Sequence, residues 1–152
     1  VQASSSNKIR KYDVEDTAVV NFVFKSGALG TLSVSDTIVS PWSYELTAGE
    51  NPAYPITNQS AYYIGGTKSS IQFPNYKEWY NKQERSWWKP ILHKDESTRE
   101  SRYTLTNQIN HLCDVVNKKA KPKITGEDGL ISLKIFAAII KSSKTGKKVK
   151  IK

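Results

Sequence analysis

The sequence predicts an α+β fold in which a large, mostly antiparallel, open β-sheet has two main helices packed on one face. The first two-thirds of the chain alternates apolar and polar residues with a period of two, and turn residues divide it into short runs. The last third places apolar residues three and four positions apart, which is the spacing of a helix. Residues 1–152 suffice for a single domain with its own core.

The first predicted element is a hairpin centred on Gly27. Residues 17–24 alternate as a strand, and the turn Lys25–Ala28 contains Gly27, which tolerates a positive φ. The return strand Leu29–Thr37 has Ser and Thr at alternate positions, so one of its faces is expected to stay outside a dry core. Ser43–Ala48 is predicted to be a further strand.

Two more hairpins are predicted in the middle of the chain, where aromatic and β-branched runs are separated by turn residues. Their strands are Ala61–Ile64 with Ser70–Phe73, and Tyr76–Tyr80 with Arg85–Pro90. The charged segment His93–Arg99 lacks a clear period and is predicted to be a loop.

Two helices are predicted towards the end of the chain. The first has an apolar stripe made by Leu105, Ile109, Leu112 and Val116. The second is expected to start at an N-cap, Thr125, with acidic residues in its first turn, and to end before Gly146. Its apolar stripe is Leu130, Leu133, Phe136, Ala137 and Ile140, and Lys148–Lys152 alternates as a closing strand would.

The formal net charge of +9 comes largely from lysines in residues 118–123 and 141–152. Such clusters either are solvated surface near helix ends or attract an anionic partner such as nucleic acid. Arg is scarce in both clusters and no aromatic residue is interleaved with the lysines, so the sequence favours solvated surface.

The chain contains one cysteine, Cys113, which excludes an intrachain disulfide framework and favours a cytoplasmic location. The longest apolar run, Ile135–Ile140, is too short to span a bilayer. The chain has no Met and begins abruptly in strand-like residues. We therefore expect it to be a piece of a longer protein.

Several common catalytic and cofactor motifs are absent from the sequence. It contains no G-x-G-x-x-G turn, no Walker loop and no Cys/His cluster with metal spacing. His111 and Cys113 are two residues apart on a predicted helix and would point in different directions, as a structural histidine and a small buried thiol. No catalytic, cofactor-binding or metal-binding residue is predicted in this chain.

The polar and aromatic segment after Pro41 is the candidate substrate site. Glu50 and Asn51 can hydrogen-bond the hydroxyls of a sugar or polyol, and Trp42 and Tyr54 can stack on a sugar's C–H face. The alternative is that this segment packs against its own sheet, with a turn at Asn51.

Five other residues are candidates for a domain or subunit interface. They are Trp79, Trp87, Trp88, Gln108 and His111. Sheet-face packing or a subunit interface is favoured over ligand contact for the three tryptophans. Gln108 and His111 either meet another domain or lie on a solvated helix face.

Seven segments, taken in order, form a recognisable set. They are Val14–Ala18, Phe24–Leu32, Ser40–Glu45, Gly49–Pro55, Gly66–Pro74, Gly126–Leu130 and Thr145–Lys147. The set covers nearly the whole chain and resembles the C-terminal domain of the glucose–fructose oxidoreductase, inositol dehydrogenase and MocA (Gfo/Idh/MocA) family. The chain departs from the family at Ser69, where Gly is common in the hairpin, and in the region from Gln83 to Arg99.

The resemblance implies a domain like the C-terminal domain of glyceraldehyde-3-phosphate dehydrogenase, within a longer NAD(P)-dependent oxidoreductase. A Rossmann domain that precedes this chain would bind NAD or NADP and supply the family's catalytic residues, none of which has a counterpart here. This chain would form one wall of the site for a sugar or polyol and would assemble a dimer or tetramer through its sheet. By itself it would be inactive and would bind no cofactor.

The residues alone leave two other classes of function open. One is a non-enzymatic module that forms homo-oligomers through its exposed sheet face. The other, less favoured, is a basic nucleic-acid-binding domain that uses the lysine clusters.

Overall fold

The computed structural model describes residues 1–95 and 103–151. Within them the elements are β1 Gln2–Ser6, β2 Thr17–Val23, β3 Leu29–Ser35, α1 Tyr44–Ala48, β4 Tyr62–Gly65, β5 Ser69–Phe73, β6 Lys77–Tyr80, β7 Leu92–Asp95, α2 Thr104–Val116 and α3 Gly126–Thr145. All strand pairs in these ranges are antiparallel. The predicted α+β class with antiparallel pairing is confirmed.

The strands in the described part of the chain form two sheets and not one broad sheet. A three-stranded sheet has the order β1-β2-β3, and a four-stranded sheet has the order β4-β5-β6-β7. The first belongs to a compact unit made of Val1–Val39 and the segment from Lys121 onwards, and the second belongs to the unit Ser40–Ala120. Between β3 and β4 the chain contains Pro41 and helix α1.

The first unit has its small core between β1, β2 and α3. Ala3 and Val20 are paired across β1 and β2, and both are buried together with Ala138 of α3. The opposite face of this sheet is open, and Thr31 and Ser33 of β3 are exposed there. The prediction that one face of the return strand stays outside a dry core is confirmed.

The ends of α3 agree with the sequence prediction. Thr125 Oγ1 accepts from the N–H of Asp128, and the Asp128 carboxylate accepts from the N–H of Thr125, which completes a capping box. Gly146 ends the helix with φ at 67°, a left-handed conformation that favours glycine.

The buried face of α3 differs from the predicted apolar stripe. Leu130, Leu133 and Phe136 are exposed, whereas Ala138 and Ser142 are buried. The Ser142 hydroxyl accepts from the N–H of Ala3 (2.9 Å) and donates to the Lys147 carbonyl (2.7 Å). Small side chains let β1 come close to the helix, so the packing face is set by close approach of the backbone and not by the most apolar residues.

The predicted closing strand at Lys148–Lys152 is wrong over its described residues, 148–151. Only a local pairing is present, in which the nitrogen of Val1 donates to the carbonyl of Val149 and the N–H of Val149 donates to the carbonyl of Val1, both at 2.8 Å. Lys152 lies outside the described residues.

In the second unit, the predicted hairpin of β4 and β5 is confirmed, and so is the strand at β6. The predicted partner strand Arg85–Pro90 is wrong, because β6 pairs with β7 instead. Ser86 begins a turn in which its hydroxyl accepts from the N–H of Trp88, and Pro90 has no N–H to donate, so that segment is irregular.

The loop predicted at His93–Arg99 is also wrong where it is described. His93, Lys94 and Asp95 belong to β7. Two of them form ion pairs with β6, in which Lys94 lies 3.0 Å from Glu78 and Asp95 lies 3.8 Å from Lys77. Residues 96–99 lie outside the described part of the chain.

The segment Ser43–Ala48, predicted as a strand, is a short helix. The Ser43 hydroxyl accepts from the N–H of Leu46, and Gly49 ends the helix with φ at 65°. Thr47 is fully buried and donates its hydroxyl to the carbonyl of Tyr44. The N-cap serine and the left-handed glycine fix this one-turn helix at both ends.

Candidate functional site

Helix α1 lies within a closed segment, Pro41–Thr57, which we call the site loop. Thr57 closes it with two hydrogen bonds: its hydroxyl donates to the Pro41 carbonyl (2.7 Å) and its N–H donates to the Leu46 carbonyl (2.9 Å). All four predicted substrate-binding residues lie in this segment. The structure therefore places them in one short segment whose two ends are fixed to each other.

The side chain of Glu50 is held by a residue that the sequence interpretation missed. The hydroxyl of Tyr44, in the first turn of α1, donates to Oε1 of Glu50 at 2.8 Å. Glu50 follows Gly49 directly, so the left-handed turn at the helix end returns the chain towards Tyr44. The Ser43 cap and Gly49 were the available signals, since a helix between them makes this pairing possible.

Tyr44 is itself fixed by an aromatic cluster on the second sheet. Its ring stacks on Phe73 of β5 with centroids 6.0 Å apart and lies 5.8 Å from Tyr62 of β4. Phe73 also meets Tyr76 edge-on at 5.1 Å. Such contacts fix ring positions beyond what buried area alone provides. These contacts therefore fix the position of the Tyr44 hydroxyl relative to the second sheet.

The ionisation of Tyr44 reflects this environment. Burial, followed by the hydrogen bond to Glu50 and the negative charge of that carboxylate, raises the pKa of Tyr44 to about 12. The phenol therefore remains a hydrogen-bond donor throughout the physiological pH range.

Asn51 uses its side chain locally. Its Oδ1 accepts from the N–H of Ala53 (3.0 Å) and its carbonyl accepts from the N–H of Tyr54 (3.2 Å). This is a turn in which the side chain mimics a backbone carbonyl. The turn at Asn51 that was the alternative interpretation is therefore present. Its hydrogen bond from the N–H of Tyr54 also fixes the backbone at Tyr54.

The two aromatic candidates of the site loop keep much of their surface accessible. The exposed fraction is 55% for Trp42 and 46% for Tyr54. The N–H of Trp42 donates to the hydroxyl of Ser40, which fixes the backbone at this position. Both rings thus offer accessible area for stacking, as the prediction requires.

The three interface tryptophans lie in different settings. Trp79, on β6, packs its ring 4.8 Å from His93 and lies under the ammonium of Lys77 at 5.0 Å. Its Nε1 is buried and has no acceptor within the described residues. Trp87 and Trp88 are 92% and 94% exposed on the irregular segment between β6 and β7.

Helix α2 contains Gln108 and His111 and has no buried residue. Gln108 is exposed and His111 is half-buried. The prediction that Cys113 is a small buried thiol is wrong, since this cysteine is exposed. The helix predicted from the apolar stripe is confirmed as α2, but the stripe itself is exposed, as at Leu105 and Val116.

The residues described here do not fit a dinucleotide cofactor. A dinucleotide phosphate binds where a glycine-rich turn leads into a helix N-terminus. The N-terminus of the long helix α3 instead has Glu127 and Asp128 in its first turn, and the Asp128 carboxylate occupies the Thr125 N–H.

The described residues contain neither a metal-binding cluster nor a membrane-spanning helix. In residues 1–95 and 103–151, no group of three His, Cys, Asp or Glu side chains is placed to hold a metal ion. Over the same ranges, no helix has the length and apolar character needed to cross a membrane.

The antiparallel sheets and the helices make this an α+β domain. Residues 1–151 match the family model described as "Oxidoreductase family, C-terminal alpha/beta domain". The chain belongs to the Gfo/Idh/MocA family and is its C-terminal domain, which confirms the resemblance stated above. No curated protein and no solved structure matched the chain.

Proposed function

We propose that this chain is the substrate-binding and oligomerisation domain of an NAD(P)-dependent oxidoreductase acting on a sugar, a polyol or a related hydroxy compound. The observation that supports it most is the Glu50 carboxylate, held by Tyr44 in a segment with two accessible aromatic rings. Carboxylates accept hydrogen bonds from hydroxyls, and rings stack on the C–H faces of sugars.

In this proposal the chain binds and orients the substrate. Glu50 and Asn51 hydrogen-bond hydroxyl groups, and Trp42 and Tyr54 exclude water from the C–H side. A nicotinamide held by another domain would supply the hydride chemistry, which converts a carbinol into a carbonyl or the reverse. The benefit from this chain is orientation, which lowers the entropy cost of bringing the two reactants together.

The cofactor would be bound by a Rossmann domain that precedes this chain in the same polypeptide. The family assignment supports this division, because the matched domain is the C-terminal one. The two carboxylates in the first turn of α3 support it too, since they disfavour phosphate there. We place the enzyme in the cytoplasm on the basis of its single cysteine.

The uncovered apolar residues supply surfaces for the Rossmann domain and for further copies of the chain. In the first unit, Val34 of β3 and Leu133 and Phe136 of α3 are exposed. In the second unit, Leu105 and Val116 of α2 are exposed. Apolar surface of this kind marks contact sites in other proteins. We propose that the full enzyme is a dimer or tetramer.

The proposal is tested by producing this chain alone and joined to the polypeptide encoded ahead of Val1. Each is incubated with NAD or NADP and with myo-inositol, D-glucose, D-glucitol or glycerol, and the appearance of reduced nicotinamide is followed. We expect turnover of at least one compound by the joined protein and none by the chain alone. Absence of turnover of all four by the joined protein would contradict the proposed substrate class.

A further inference from the structure

We infer that Tyr44 is a positioning residue that holds Glu50 ready to accept hydrogen bonds from two adjacent hydroxyl groups of the substrate. The inference rests on the proposed function and narrows its substrate class to compounds with a vicinal diol. The two oxygens of a carboxylate are close enough together to accept from neighbouring hydroxyls, one on each oxygen. Tyr44 occupies one lone-pair direction of Oε1 and leaves the others for substrate.

The phenol is suited to this role because it is fixed from the sheet side. Tyr44 stacks on Phe73 with an interplanar angle of 14° and is tilted against Tyr62, so two strands hold its ring. Helix α1 holds its backbone through the Ser43 cap. The Tyr44 hydroxyl belongs to the same site loop as Glu50, but its position is also fixed by packing of its ring against the second sheet.

Glu50 needs such a partner because of its place in the chain. It is half-buried and lies between the left-handed Gly49 and the turn that starts at Asn51. A glutamate side chain has three rotatable bonds, and fixing them on binding costs conformational entropy. A carboxylate that is already hydrogen-bonded to a rigid donor incurs less of that cost when the substrate arrives.

The direction of the hydrogen bond also suits a neutral substrate. The Tyr44 phenol has a pKa of about 12, so at neutral pH it can only donate to the carboxylate and adds no charge. Glu50 thus remains an acceptor, which matches the hydroxyl donors of a polyol. An anionic group would be repelled by Glu50, so the geometry disfavours phosphate or carboxylate at this position.

The first arm of the test measures the pairing in this chain alone. Ionisation of Tyr44 is followed by ultraviolet difference or carbon NMR titration in the wild type, in Glu50→Gln and in the control Glu45→Gln. Glu45 is exposed in the same short helix and has the same charge. We expect Glu50→Gln to lower the pKa of Tyr44 from about 12 towards 10 and Glu45→Gln to leave it unchanged. Equal values in all three proteins would overturn the inference.

The second arm measures kinetics in the joined protein with the polyol that it turns over. We expect Tyr44→Phe to raise KM about tenfold, equivalent to about 1.4 kcal/mol, with kcat little changed. Glu50→Gln should raise KM further. The matched control is Tyr63→Phe, which removes an exposed hydroxyl from β4.

The outcomes of the second arm separate the two proposals. If the wild type turns over a polyol but Tyr44→Phe and Tyr63→Phe have the same KM, the positioning role is wrong and the proposed function stands. If the wild type turns over 1,3-propanediol, which has no adjacent hydroxyls, as efficiently as glycerol, the vicinal-diol preference is wrong and the proposed function stands. If it turns over none of the panel, the proposed function itself fails, and this inference fails with it.

Discussion

At the scale of single residues, Asp16 shows how one carboxylate fixes a loop in the first unit. Its Oδ2 accepts from the N–H groups of Ile9 and Arg10, each at 3.0 Å, and Arg10 reaches on to form an ion pair with Asp36 at 3.1 Å. The hydrogen bond from the N–H of Arg10 is the main cause that lowers the pKa of Asp16 below its ordinary value. The loop before β2 is thereby tied to the end of β3.

Asp16→Asn should therefore lower the midpoint of urea unfolding at neutral pH. Asparagine can accept at only one of its two side-chain atoms, and its amide group places a donor near the loop N–H groups. The control is Asp13→Asn, an exposed residue in the same loop, which should have no effect. An unchanged midpoint for Asp16→Asn would contradict the role given to this carboxylate.

The pH dependence follows from the direction of the shift. The folded pKa of Asp16 is lower than the unfolded one, so its contribution to stability is present above 3.8. The contribution is lost as pH falls through the folded value, which lies below 3.8. The wild type and Asp16→Asn should accordingly differ less in their urea-unfolding midpoints in that acid range. Urea unfolding measured at several pH values would show this.

At the scale of elements, the contact between β1 and α3 depends on one buried hydroxyl. Ser142→Ala would leave the N–H of Ala3 and the carbonyl of Lys147 without their partner. A buried group left unsatisfied costs about 1–3 kcal/mol. We expect a loss of that size in the free energy of unfolding, measured by urea denaturation.

The matched control for that change is Ser132→Ala. Ser132 lies on the same helix, is exposed, and donates only to the carbonyl of Asp128 one turn earlier. Alanine is the better helix former, so this variant should be neutral or slightly more stable. Equal effects of the two substitutions would show that helix propensity, and not the contact with β1, controls stability here.

The elements that the sequence predicted well are those with local signals. The turn at Gly27, the capping box at Thr125 and the end of α3 at Gly146 each depend on a residue's own conformational preferences. Helix α1 was mistaken for a strand because Tyr44 and Leu46 alternate with polar residues. One helical turn is too short for a period of 3.6 to be distinguished from a period of two.

The sequence indicated which candidate residues lie in the site loop but not how their side chains are held there, and their contact with a substrate stays a prediction. The polar and aromatic composition of the site loop indicated Glu50 and Asn51, and both lie where a closed segment holds them. The role of Tyr44 depends on its packing against Phe73, which is distant in sequence and set by tertiary contacts. The buried face of α3 was missed for a related reason, since small residues such as Ser142 allow close approach.

At the scale of the whole molecule, two units are described, each with its own antiparallel sheet, and both leave apolar side chains uncovered. In the described residues, the fully buried positions are few and mostly small. A chain with few buried side chains and many exposed apolar ones gains stability when a partner covers its apolar surface. Because the chain belongs to the oxidoreductase family, we propose that this partner is a nucleotide-binding domain in the same polypeptide.

The measurement that tests this division of labour most directly is a titration of the chain with NADH, followed by the fluorescence of the reduced nicotinamide. We predict no saturable change for this chain alone, and saturable binding for the chain joined to the polypeptide encoded ahead of Val1. Tight binding of NADH by the isolated chain would contradict the account, because this chain would then contain the cofactor site that we assign to another domain.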